Sequence, residues 1–94
     1  MSEKEMTEDK KIAVIGIIVE NYEATQQINK ILHEFRHFVV GRMGIPYEQR
    51  NVAVISVVVD APQAVISAIS GKLGMLSGVS SKTVTSRLPE KERT

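Results

Sequence analysis

His33 and His37 stand four residues apart. On a helix that spacing places both imidazoles on one face, where they could share a transition metal if further ligands converged. No third ligand falls in register, because Glu34 is turned by about 100° from His33 on such a helix. The helix is also expected to end near Arg36, which would leave His37 beyond it. The plain alternative is a pair of partly exposed polar residues. A second candidate is Gly41-Arg42-Met43-Gly44. An arginine between two glycines on an extended segment presents a planar fork suited to a carboxylate or phosphate. The alternative there is a surface arginine on an edge strand, with the glycines permitting a bulge. Gly71-Lys72 lacks the rest of a phosphate-binding loop and has no strand leading into it.

Nucleophilic catalysis finds no support in these residues. The chain has no cysteine, which removes thiolate nucleophiles, disulfides and sulfur-rich metal sites together. No Ser/His/Asp set is spaced for acyl transfer, and the acids lie in turns or near the termini.

The elements that must position these residues are legible from periodicity. Ile12–Val19, IAVIGIIV, is short and β-branched, and reads as a strand. Glu20-Asn21-Tyr22-Glu23 follows as a polar turn with Asn21 as the expected helix N-cap. Ala24, Ile28, Ile31, Leu32 and Phe35 then form one apolar stripe on a helix of about three turns. Phe38–Ile45 reads as a bent or bulged strand that Pro46 ends. Val52–Val59, VAVISVVV, is the clearest strand. Asp60 or Ala61 is expected at the cap of a second helix, with Pro62 in its first turn. Val65, Ile66, Ile69 and Leu73 give that helix its apolar face, and Gly71 and Gly74 mark its end. A turn at Met75–Gly78 precedes a last, alternating strand over Val79–Arg87. The order βαββαβ predicts an α+β, ferredoxin-like split-βαβ domain with an antiparallel sheet in the order 4-1-3-2 and two helices on one face. The domain is expected over residues 11–87, with residues 1–10 as a disordered N-terminal tail and 88–94 as a C-terminal tail.

The first and third strands are apolar on both faces, whereas a half-solvated strand should alternate with polar residues. Only the last strand does so. The first and third strands are therefore central. The sheet face away from the helices should expose about eight aliphatic side chains, more than a soluble monomer ordinarily leaves open. A homo-oligomer, dimer or tetramer, assembled through the sheet is expected.

Ninety-four residues suffice for one domain. An apolar fraction of 43% with 24% charged residues excludes global disorder. Residues 11–87 carry eight bases and five acids, an imbalance too small to expect direct nucleic-acid binding. No apolar run is long enough to span a membrane, and the charged start, MSEKEMTEDKK, is no secretory signal. A cytoplasmic location is the expectation.

Four segments carry a family resemblance. They are Ile12–Asn21 (IAVIGIIVEN), Leu32-His33-Glu34, Gly41–Pro46 (GRMGIP) and Ala68–Val79 (AISGKLGMLSGV). Together they resemble the iron-only hydrogenase system regulators, over about residues 11–87. The closing Leu-x-Gly-Val is also similar to ACT domains. The resemblance implies an ACT-like fold, similar to the C-terminal effector domain of the nickel-responsive repressor. It also implies an oligomeric regulatory domain that senses a small molecule or a metal. This chain departs from that repressor by having no cysteine for its nickel site and no DNA-binding ribbon-helix-helix before the domain. ACT-like domains place effectors where the first strand meets the first helix, so the resemblance points to Glu20, Asn21 and Tyr22, with Arg42 as a further candidate. The unpaired N–H groups of the helix start there suit an anion, though an ordinary helix cap has the same form. The expected function is an oligomeric ACT-like regulatory domain that binds a small effector and acts through protein contacts. No cofactor is identifiable. The alternatives are a small ferredoxin-like enzyme of isomerase type and a structural assembly protein. Acylphosphatase chemistry would need an arginine loop near the N-terminus that is missing here, and a nucleoside diphosphate kinase would need a longer chain.

Overall fold

A computed structural model describes residues 10–86. Strand β1 spans Lys10–Val19, helix α1 Ala24–Glu34, strand β2 Val39–Tyr47, strand β3 Val52–Pro62, helix α2 Gln63–Gly74 and strand β4 Val79–Thr85. Short 3₁₀ turns at Arg36–Phe38 and Glu48–Arg50 flank β2. The four strands form one sheet in the order β2-β3-β1-β4, with antiparallel neighbours throughout. This is the ferredoxin-like βαββαβ plan and the strand order expected from the sequence.

Period-2 alternation divides the sheet into two unlike faces. Ala13, Ile15, Ile17 and Val19 of β1 and Ile55, Val57, Val59 and Ala61 of β3 are buried. They share one core with Ala24, Ile28 and Leu32 of α1 and Ile66, Ile69 and Leu73 of α2. Both helices therefore cover this face. Burying each of the valine, leucine and isoleucine side chains contributes about 1.5–3 kcal/mol. Among the described residues no charged or polar residue is buried in the core. A hydroxyl pair, Ser70 Oγ and Thr83 Oγ1 at 2.8 Å, ties α2 to β4 at its margin.

The opposite face carries Ile12, Val14, Gly16 and Ile18, paired across to Asp60, Val58, Ser56 and Val54. Nothing among the described residues covers it. Ile12, Val14, Ile18, Val54, Met43, Ile45 and Val84 are all exposed, by 39–69%.

Several boundaries differ from the sequence reading. β1 starts at Lys10, so Lys10 belongs to the domain and not to the N-terminal tail. Its added residues, Lys10 and Lys11, pair with Pro62 and Ala61, next to the Ile12 pair with Asp60. That pairing keeps these three in β3 and moves the helix cap to Pro62, with α2 starting at Gln63. Asn21 stands two residues before the cap position, which Glu23 occupies. The Asn21 Oδ1 accepts from the Glu23 N–H at 3.1 Å and its carbonyl from the Ala24 N–H at 2.9 Å, an Asx-type turn that leads into the helix. Pro46 does not end β2, which runs on to Tyr47. On an edge strand its missing N–H breaks no ladder bond. The bulge anticipated in β2 lies between Val39 and Gly41 and leaves Val40 unpaired. β4 ends at Thr85, with Ser86 continuing its bonds to Ile12. The tail assignments at residues 1–9 and 88–94 lie outside the described residues, as does Arg87. Among the described residues no helix is long and apolar enough to cross a membrane.

Candidate functional site

The sequence candidates separate into two places. Glu20, Asn21 and Tyr22 form the turn between β1 and α1, packed beside the α2–β4 turn. The Glu20 N–H donates to the Gly78 carbonyl at 2.7 Å. Gly78 has a φ of +75°, and a Cβ built there would stand 2.6 Å from the Asn21 Cβ. Glycine is thus required at this position both by backbone conformation and by the approach of the neighbouring turn. Tyr22 is 55% exposed. The corner is tightly joined, with Glu20 and Tyr22 exposed and Asn21 half-buried in its turn.

Arg42 lies elsewhere. It pairs with Val57, a residue of the helix-covered face, and its Nη2 donates to Asn29 Oδ1 on α1 at 2.9 Å. The bulge produces this placement. Val39 faces the helices opposite Val59. By plain alternation Gly41 would do so too, leaving Arg42 on the bare face. With Val40 left out, Gly41 pairs with Val58 on the bare face and Arg42 takes the helix side.

Arg42 therefore borders a cleft of about 330 Å³ between α1 and β2, lined also by Asn29, Leu32, His33, Arg36 and Val39. His33 is on the last turn of α1. Arg36 folds back on the helix end, its Nη1 donating to the His33 carbonyl at 2.9 Å. Among the described residues no acid lines the cleft. The carboxylate of the same helical turn, Glu34, is directed to Lys72 on α2 at 3.7 Å.

His37 is not among the residues lining this cleft. α1 ends at Glu34 and His37 sits in the 3₁₀ turn that follows, so the two histidines do not share a helical face. Among the described residues no three metal-ligating side chains cluster. Asn29 and Arg36 are the residues that sequence reasoning missed. Their signal is the spacing 29, 33, 36, which runs along one side of α1 into the turn.

A second recess, of about 390 Å³, lies on the bare sheet face, lined by Gly16, Ile18, Val54, Ser80 and Lys82. The missing side chain at Gly16 makes the dip, since the space above it is open.

A family model described as TM1266-like, iron-only hydrogenase system regulator, matches residues 11–83. Among solved structures, the uncharacterized protein TM1266 from Thermotoga maritima is similar at 38% identity with a TM-score of 0.78, covering 81% of this chain and 96% of that one. A formyltetrahydrofolate deformylase from Pseudomonas putida KT2440 shares the fold at a TM-score of 0.58 and 13% identity. It covers 78% of this chain, which in turn spans 28% of the deformylase. That likeness shows the fold alone. No curated protein matches the chain.

Proposed function

The chain belongs to the TM1266-like iron-only hydrogenase system regulator family, and from that premise we propose that it is a regulatory module and not an enzyme. In this reading two or more copies assemble through the bare sheet face, a small effector binds, and the assembly acts on other proteins.

The observation that carries the reading is the exposed aliphatic face. Seven side chains of that face are each about half exposed, which amounts to roughly 600 Å² of apolar surface, at the upper limit for a soluble monomer. Two such faces stacked would bury roughly 1,200 Å² in total, enough for a specific interface. A second copy fits better than the chain's own ends, because MSEKEMTED and RLPEKERT offer few apolar side chains to lay across it. Charges are sparse on the face: Lys82 lies near its middle, and Asp60 and Lys10 near one end. On the stretch from Ile12 to Ile18 and its β3 partners the face is otherwise aliphatic, broken only by Gly16, Ser56 and Asp60.

The effector candidates are Glu20, Asn21 and Tyr22 at the β1–α1 corner and Arg42 in the α1–β2 cleft. They offer hydrogen-bonding and cationic groups without an acid–base pair, which suits recognition better than turnover.

The test is solution mass by light scattering together with melting temperature. The protein is first treated with chelator, then incubated with amino acids, nucleotides or Ni, Fe and Zn ions. A stable oligomer whose mass or melting point responds to one ligand supports the reading. A monodisperse monomer at tens of micromolar overturns the assembly part, and no response to any ligand overturns the effector part.

A further inference from the structure

We infer that the cleft between the end of α1 and β2 binds a small organic anion, with its carboxylate or phosphate group held by Arg36 and Arg42. The inference deepens the effector part of the reading above and does not depend on self-association.

Two guanidinium groups line one recess that no acid lines among the described residues. Each is oriented by a neutral acceptor: Arg42 by the Asn29 side-chain oxygen and Arg36 by the His33 carbonyl, both at 2.9 Å. A guanidinium has five N–H donors in a rigid fork. One bond apiece fixes the direction of each fork and leaves donors over, and a neutral acceptor leaves the positive charge uncompensated. The nearest acid along the helix, Glu34, pairs instead with Lys72 on the side towards α2. The polarity of α1 is thus divided, with the acid on one side and the cations of the cleft on the other.

The cleft also has a floor. Leu32, buried, and Val39, half-buried, lie beneath the polar groups, so a ligand with a short carbon skeleton has apolar surface to rest on. A volume of about 330 Å³ is at the small end of ligand pockets and suits a metabolite rather than a dinucleotide or a peptide. The end of α1 brings a partial negative charge of about half a unit, smaller than the two full charges opposing it. Binding should therefore depend on both arginines.

The experiment is a titration of the ¹⁵N-labelled full chain with inorganic phosphate and, separately, with succinate, at constant ionic strength, followed by amide and arginine Nε signals. Saturable shifts confined to residues 29–42 are expected with at least one of the two anions. Saturation by succinate alone assigns a carboxylate ligand, and by phosphate alone a phosphorylated one. Arg36→Met and Arg42→Met should each weaken binding by roughly tenfold, as loss of a charge-assisted contact does. Arg50→Met, which removes an exposed cation at the far end of β2 that does not line the cleft, should leave binding unchanged. Both arginines are exposed, so these variants should fold. Shifts that fail to saturate, that spread over the surface lysines, or that persist undiminished in both arginine variants overturn the assignment. If another metabolite raises the melting temperature while residues 29–42 stay unmoved, this site is wrong and the regulatory reading stands.

Discussion

Substituting Gly78 by alanine tests the joint between the two turns that bracket the β1–α1 corner. Gly78 sits at φ +75°, and the new Cβ would meet the Cβ of Asn21 at 2.6 Å. Two costs arise. An L-residue in the left-handed region costs about 1–2 kcal/mol. The overlap costs roughly another 1–2 kcal/mol, because the atom struck is attached to the backbone and cannot swing aside. Moving Asn21 would in turn disturb the 2.7 Å bond from the Glu20 N–H to the Gly78 carbonyl and the Asx turn that starts α1. The total, roughly 3 kcal/mol, should lower the melting temperature by roughly 12–24 °C in a domain of this size. A double-mutant cycle separates the two costs. In an Asn21→Gly background the struck atom is gone, so Gly78→Ala should cost only the conformational part, and the coupling should be about 1–2 kcal/mol. Urea denaturation at one fixed protein concentration gives the four free energies, since self-association would otherwise shift them. A cycle that closes to within about 0.5 kcal/mol, the usual limit of additivity, would refute the close approach of the two turns.

Three further outcomes are expected. Ile18→Lys, on the bare face between Val54 and Ser80, should weaken self-association by more than about tenfold while leaving the circular dichroism spectrum unchanged, and an unaltered sedimentation profile would show that this face is not the interface. Ile28→Ala removes a fully buried side chain from the α1 face of the core and should cost about 2–5 kcal/mol, read from the urea midpoint, whereas a loss under about 1 kcal/mol would mean that α1 packs loosely. The Thr25 hydroxyl is buried without a hydrogen-bond partner, so Thr25→Val should raise stability by roughly 1 kcal/mol. A loss of stability would reveal a partner for that hydroxyl.

The strands and helix faces were legible because local pattern and tertiary role agree in this chain. IAVIGIIV and VAVISVVV are β-branched, too short for helices, and apolar on both faces. They became the two central strands, as that pattern requires. What escaped the sequence depends on distant pairing. Asp60-Ala61-Pro62 has the local look of a helix start, yet Lys10–Ile12 of β1 lies alongside and keeps it extended. The ladder bonds and the burial of Ala61 outweigh a cap preference worth about 1 kcal/mol. Asn21 shows a smaller miss of the same kind, since its side chain bonds ahead of the helix and not within its first turn.

The cleft was half legible, and the bulge explains which half. Arg42 and His33 were each picked out for their chemistry, but on unrelated grounds, one as an anion fork and the other as half of a metal pair. Their common location depends on which face of β2 carries Arg42. Alternation alone would put it on the bare face opposite Ser56, away from α1. The two glycines signalled that a bulge was possible, but not whether an even or odd number of residues would precede Arg42 after it. Leaving out Val40 alone settles that parity and turns Arg42 towards Asn29. A one-residue change of register thus converts an edge arginine into part of a cationic cleft. The same step sends Met43 and Ile45 to the bare face, where they extend its apolar surface. One local irregularity therefore sets the composition of both surfaces on which the proposed regulation depends. Deleting Val40 removes only the unpaired residue, so Arg42 should stay opposite Val57 in the cleft and Met43 opposite Ser56 on the bare face. Anion-induced shifts at residues 29–42 should survive the deletion, and their loss would refute this account of the bulge.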